Sequence, residues 1–244
     1  MQEGQTWKPI LVGLDASEYG LTAASTARTM AAALGCSLEA VVAIEPRRLR
    51  PFILLEVEEG GPASVCSRTM ERARASIRDE AGHLLDMVKG ACRESGVPCR
   101  THIEEGGVDR ALARHSEEAE LLVLGRQGEQ GQHRPELSLG GNVEAVLAGV
   151  SAPVFLCGAH CAPITRIIAQ EKALETELPA RIARALGAKM EATAQEGMAM
   201  LGSAHEGRFD LIVLPGDLTD PRNGLAPSSE AVLRRTALPV LIAR

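Results

Sequence analysis

Short apolar runs alternate along the chain with longer stretches in which apolar residues recur every three or four positions. That alternation predicts a parallel sheet covered by helices on both faces. Ile10 to Leu14 has the form of a strand buried on both sides, and Asp15 closes it. Ser17 can cap the next helix through its hydroxyl; Leu21, Ala24, Ala27, Ala31 and Leu34 share a face of it, and Gly35 stops it. Leu38 to Ile44 reads as a second strand. Pro46 to Gly61 reads as a loop carrying Arg47, Arg48 and Arg50. A long amphipathic helix follows from about Ser64 to Ser95, then a strand from Cys99 to Ile103 and a helix from Val108 to His115. Leu121 to Leu124 and Pro153 to Leu156 are further strands, separated by a helix from Asn142 to Ala148. Five strands make a complete small α/β unit with right-handed crossovers.

The later part of the chain says the same thing again in shorter form. Leu121-Leu122-Val123-Leu124-Gly125, Glu144-Ala145-Val146-Leu147 and Ala152-Pro153-Val154-Phe155-Leu156 form one series. Leu211-Ile212-Val213-Leu214-Pro215, Glu230-Ala231-Val232-Leu233 and Leu238-Pro239-Val240-Leu241-Ile242 form the other. Arg166 to Ala169 matches the first strand, and one strand near Lys189 to Ala192 does duty for two. The spacing therefore predicts a complete unit over residues 1–158, a linker from Gly158 to Pro163, and a shortened unit of four strands over residues 163–244. Val154–Cys157 and Val240–Ala243 are expected to pair antiparallel, an internal pseudo-dimer that covers two sheet edges; a further homodimer remains open.

Composition narrows the function classes. Hydrophobic residues make up 45% of the 244, enough for sizeable cores, while aromatics are only 2%. Few rings are available to stack bases, and a net charge of −6 with no basic run argues against nucleic acid as partner. No apolar run approaches the roughly 20 residues of a membrane helix, and the polar start is unlike a secretion signal, so a cytoplasmic location is expected. The six cysteines read as small buried hydrophobes. Cys157-Gly-Ala-His160-Cys161 groups two thiols and an imidazole but has no distant second ligand pair at zinc spacing. His83, His102, His115 and His205 show no ligand spacing and read as surface or capping residues.

Candidate chemistry gathers in the first unit. With strands ordered 3-2-1-4-5, ligands bind in the crevice beyond the carboxyl ends of strands one and four. Asp15 ends the one and Gly125 ends the other. Arg126, Gln127 and Gly128 follow, then a polar stretch with His133 and Arg134, then Gly140 and Gly141 opening a helix. Glycines let backbone approach a ligand, and N–H groups at a helix start attract phosphate. The pattern is neither a Walker A loop nor a dinucleotide turn. Each element also has a plainer reading: Asp15 as a helix cap, Gly140-Gly141 as a loop-to-helix turn. In the later unit Pro215, Leu218 and Ala226-Pro227 stand where Gly125, Gly128 and Gly140-Gly141 stand in the first, so no ligand is expected there.

Asp15-Ala16-Ser17-Glu18, Gly125-x-x-Gly128, Gly140 and Ala152-Pro153-Val154, in this order on these elements, make the chain resemble the universal stress protein family. The resemblance covers almost the whole length, as a tandem pair with a degenerate second copy. It implies two flavodoxin-like α/β parallel sheets and an adenine nucleotide (ATP, ADP or AMP), with or without Mg2+. Asp15 would meet the adenosine end and the backbone of Ala43 the adenine, while Gly125, Gly128, Gly140 and Gly141 would cradle ribose and phosphates. Two features depart from the family. The stretch Glu129 to Leu139 is longer than the family's, and Gly141 stands where the family has Ser or Thr. The missing hydroxyl removes a hydrogen bond of about 1 kcal/mol, which Asn142 or Arg126 would offset.

No nucleophile, base and orienting group form a recognisable set, so catalysis beyond slow ATP hydrolysis is not expected. The readings are a nucleotide-binding regulatory protein or a nucleotide-free module that contacts a protein partner. An adenylating or amidating enzyme fits poorly, because its pyrophosphate loop does not follow the first strand.

Overall fold

In the computed structural model, residues 7–46, 63–128, 139–160, 162–217, 219–220 and 224–244 are described. The first part contains β1 (Ile10–Leu14), α1 (Glu18–Leu34), β2 (Leu38–Ile44), α2 (Ala63–Glu94) and β3 (Cys99–Glu105). It continues with α3 (Val108–Ser116), β4 (Leu121–Gly125), α4 (Gly141–Gly149) and β5 (Val154–Cys157). The second contains β6 (Arg166–Gln170), a 3-10 turn (Glu171–Glu175), α5 (Leu178–Leu186), β7 (Lys189–Thr193), α6 (Gly197–Glu206) and β8 (Leu211–Pro215). A small ribbon of β9 (Thr219–Asp220) and β10 (Gly224–Leu225) precedes α7 (Pro227–Arg235) and β11 (Val240–Ala243).

Local signals explain most boundaries. The Ser17 hydroxyl accepts the N–H of Gly20 at 3.0 Å and starts α1. Gly35 ends it in the left-handed region, φ 67°, its N–H turned back to Ala31 and Ala32. Ala73, Ile77, Ala81, Leu85, Val88 and Cys92 form one buried stripe along α2, the helical spacing that lays it against β2 and β3.

The strand order is β3-β2-β1-β4-β5-β11-β8-β6-β7. The first five strands follow the expected order, and β7-β6-β8-β11 reproduce that of β2-β1-β4-β5. Every neighbouring pair is parallel except β5 with β11, where Val240 faces Leu156 and Ile242 faces Val154. The two sheets expected from the sequence are thus joined into one, because the last strands pair within the chain and remove an exposed edge from each.

One apolar core lies under α1, α2 and α5 and the other under α3, α4, α6 and α7. Both run across the β5–β11 seam: Val12, Phe155 and Leu241 share the first, and Leu122, Leu156 and Ile242 the second. Each such fully buried side chain contributes about 1.5–3 kcal/mol. Among the described residues no helix is long and apolar enough to cross a membrane.

Candidate functional site

Strand pairing brings the ends of β1 and β4 together, with Ile10, Leu11 and Val12 opposite Leu121, Leu122 and Val123. Asp15, just past β1, is fixed by its own turn: its Oδ1 accepts the Ser17 N–H at 3.1 Å and the Ser17 hydroxyl at 2.5 Å. The other carboxylate oxygen faces Gly128, where a Cβ would lie 2.5 Å from Oδ2. Asp15 is therefore both a local cap and a wall of the crevice. Gly125 answers to a different constraint. A Cβ there would meet the backbone of Tyr19 at 2.7 Å, so this glycine lets α1 seat on the end of β4.

Gly140 closes the loop by donating its N–H to the Arg126 carbonyl at 3.0 Å, and a Cβ on it would lie 3.5 Å from Gln127 Cα. Asp15, Gly128 and Gly140 therefore meet, although well over a hundred residues separate the first from the last. Gly140 is the N-cap of α4 and makes no side-chain cap bond. The next N–H groups, of Gly141 and Asn142, take no hydrogen bond among the described residues. Among the described residues no atom lies within 4 Å of a Cβ built on Gly141. Exposed amides at a helix start with unsatisfied donors suit an anion.

Ala43 lies one step beyond the residues of β2 paired with β1, whose last pair is Leu14 with Val42. Continuing the register sets it opposite Asp15, at the mouth of the same crevice. The Asn142 amide reaches the carboxylate of Glu45 at 3.4 Å, linking α4 to the end of β2.

Arg126 departs from expectation. Its side chain is buried and turned away from the loop glycines, donating to the backbone carbonyls of Leu233 and, at 3.0 Å, Leu238. Burial lowers its guanidinium to about 10. The residue is an internal tie between the two halves of the chain, and it is not placed to replace a phosphate-binding hydroxyl. Arg47, Arg48, Arg50, His133, Arg134, Cys161 and Leu218 lie outside the described residues.

The matching crevice of the second half is built differently. An ion pair between Lys172 and Asp217 spans the ends of β6 and β8. A Cβ on Gly216 would come within 2.7 Å of the Ala243 carbonyl.

Among the described residues Cys157 and His160 join no group of metal-binding side chains: the thiol is fully buried and the imidazole side chain is 89% exposed, 3.8 Å from Glu18. His102 and His115, expected as surface or capping residues, instead meet in one group with two carboxylates. His115 on α3 has Nδ1 2.5 Å from Glu39 Oε1 and Nε2 3.1 Å from Glu104 Oε1. His102 Nε2 lies 3.2 Å from the same Glu39 oxygen. Hydrogen bonding to His115, partly opposed by burial and helped by Arg114, holds the Glu104 carboxyl below its ordinary value. These residues are far apart in sequence, and the one clue was that Glu39, His102 and Glu104 alternate with apolar positions on neighbouring strands.

Among curated proteins none matches the sequence significantly. Solved structures share the fold. A universal stress protein from Archaeoglobus fulgidus aligns over 97% of this chain and 98% of its own at 14% identity, with a TM-score of 0.71. A putative universal stress protein from Pseudomonas aeruginosa aligns over 98% and 93% at 13% identity, with a TM-score of 0.59. A universal stress protein solved in complex with cAMP covers 64% of this chain and all of its own, at 18% identity and a TM-score of 0.41. The sequence profile of the universal stress protein family matches residues 6–158, the span that holds Asp15, Gly128 and Gly140, and the chain belongs to that family.

Proposed function

We propose that the protein is a regulatory binder of an adenine nucleotide (ATP, ADP or AMP), held in the crevice between β1 and β4. Residues 1–158 are the ligand-carrying unit and residues 163–244 a shortened supporting unit. One observation carries this reading: the Asp15 carboxylate is pressed against Gly128, while the nearby Gly141 and Asn142 N–H groups take no hydrogen bond among the described residues. A carboxylate suits sugar hydroxyls, and amides at a helix start suit phosphate. Asp15 and Ala43 are thereby assigned to the nucleoside and Gly128, Gly140, Gly141 and Asn142 to the phosphates. Gly125 acts indirectly, by seating α1.

Arg126 is withdrawn, so the described part of the site offers amides and carboxylates to its ligand. Phosphate charge would fall to the backbone amides and to Mg2+ brought with the nucleotide.

Titration calorimetry of the full chain with ATP, ADP and AMP, each with magnesium, tests the reading. Saturable binding of at least one, lost in Asp15→Ala and Gly128→Val, is expected. No heat with any of the three at millimolar concentration would reject it in favour of a nucleotide-free interaction module. Mass spectrometry of small molecules that co-purify would identify the nucleotide.

A further inference from the structure

The parallel register of β2 and β3 sets Val41 beside His102 and Ala43 beside Glu104. Glu39, two residues before Val41, lies on that same face, because side chains of a strand alternate. α3 crosses this face and adds His115. The outcome is one ligand atom each from Glu39, His102 and His115, all within 4.8 Å of one another.

With both histidines neutral and His115 donating to Glu104, the cluster leaves two gaps that a cation fits. A neutral imidazole carries a single N–H. If His115 donates Nε2–H to Glu104, its Nδ1 lone pair faces a Glu39 oxygen, and two acceptors oppose each other at 2.5 Å. His102 turns its Nε2 towards that same oxygen, and this nitrogen is buried without a hydrogen bond. Filling both gaps with protons takes an imidazolium at His115 and the Nε2–H tautomer at His102, both aimed at one Glu39 oxygen from rings whose centroids are 4.7 Å apart. A single divalent ion would fill both at once.

We propose that Glu39, His102 and His115 bind one divalent transition-metal ion of the zinc type. Two imidazoles and one carboxylate are the donors of such sites, and they select against Mg2+ and Ca2+, which take oxygen ligands. Zinc ligands at about 2.0–2.2 Å in tetrahedral array stand roughly 3.3–3.5 Å apart. The Glu39–His102 separation of 3.2 Å nearly meets this already. The Glu39–His115 pair must open by about 1 Å, which a small side-chain rotation supplies. Glu104 is a positioning residue: by accepting Nε2–H it fixes the tautomer that leaves Nδ1 free to ligate. Arg114 in turn holds Glu104. The His102 side chain is 38% exposed, so the group lies near the surface although Nε2 itself is buried.

The test is a Zn2+ titration of the chelator-treated full chain, followed by calorimetry. One equivalent per chain is expected, and Mg2+ should not compete. His102→Gln and His115→Gln should each weaken binding at least 100-fold, and Glu104→Gln about 10–100-fold. Two readouts guard against variants that fold poorly. In the unmodified chain, the ring resonances of two histidines should shift with the first equivalent of Zn2+. Co2+ should give a visible spectrum without a thiolate charge-transfer band. Absent uptake, uptake unchanged in the His102→Gln/His115→Gln double variant, or a thiolate band would each overturn the assignment.

Discussion

Arg126 donates its guanidinium to the backbone carbonyl of Leu233, a residue 107 positions further along the chain. Leu233 lies in the last turn of α7, where carbonyls lack helical partners and the helix dipole is negative. A reciprocal tie runs the other way: Arg244 donates to Leu147 in the last turn of α4 at 2.5 Å. Each half thus sends one arginine to a helix end of the other.

Arg126→Ala should therefore destabilise the protein without disturbing its ligand. The substitution leaves two carbonyls unpaired and opens a cavity, for a cost on the order of 3 kcal/mol. Urea unfolding should show the loss, while nucleotide affinity measured on the folded variant stays within about twofold, a difference of about 0.4 kcal/mol.

Two glycines of one motif should respond differently. Gly125→Ala places a methyl 2.7 Å from the Tyr19 backbone, and α1 must move, so a stability loss of about 2–3 kcal/mol is expected. Among the described residues a methyl in Gly128→Ala meets only the Asp15 carboxylate, 2.5 Å from its Oδ2, and a slight turn of that side chain about its Ser17 bonds makes room. It should unfold nearly like the parent yet bind nucleotide at least tenfold more weakly, about 1.4 kcal/mol. Unfolding curves and calorimetry on the two variants separate these roles.

Gly141→Ser should strengthen nucleotide binding. Among the described residues the position is open, so a hydroxyl meets no clash there, at the first residue of α4. A hydrogen bond to phosphate contributes about 1 kcal/mol, read as a roughly fivefold lower Kd. An unchanged Kd would place the phosphates away from this helix start.

The chain's acid sensitivity should depend in part on Asp210. Burial alone raises its carboxyl, but the Thr165 hydroxyl at 2.7 Å, the Thr165 N–H at 2.8 Å and the Arg166 N–H at 2.9 Å outweigh it and hold the group below its ordinary value. A carboxyl depressed by folding stabilises the protein fully above its unfolded value, near 3.9, and loses that contribution as pH falls towards the folded value. Asp210→Asn should thus cost about 1–2 kcal/mol at pH 7. The gap between variant and parent should narrow below about pH 4, as followed by urea unfolding across pH.

The strands and helices were legible because each apolar run or stripe reports its own burial. The β5–β11 pairing was also legible, because the two Pro-Val strands end equivalent series and each would otherwise leave an open edge. The convergence of Asp15 on Gly128 followed from strand order. The fate of Arg126 did not. An arginine directly after a loop glycine looks like a phosphate ligand, and only tertiary packing reveals a carbonyl far along the chain. Gly125 looked like a ligand-facing glycine for a similar reason, since the Tyr19 backbone against it is invisible in the motif. His102 and His115 carry no spacing signal, because their proximity is created by strand register and by the angle at which α3 crosses the sheet. The arginines of the Pro46 to Gly61 stretch and the His133–Arg134 pair lie outside the described residues, so their expected roles stand as sequence expectations.

The antiparallel join of Val154–Cys157 to Val240–Ala243 has a thermodynamic corollary. When two separate chains meet along such a seam, dilution drives them apart. Here the tether keeps the effective local concentration constant, so this seam adds no dependence of the thermal midpoint on how much protein is in the tube. The lobe that carries Asp15 and Gly128 therefore travels with one permanently attached buttress.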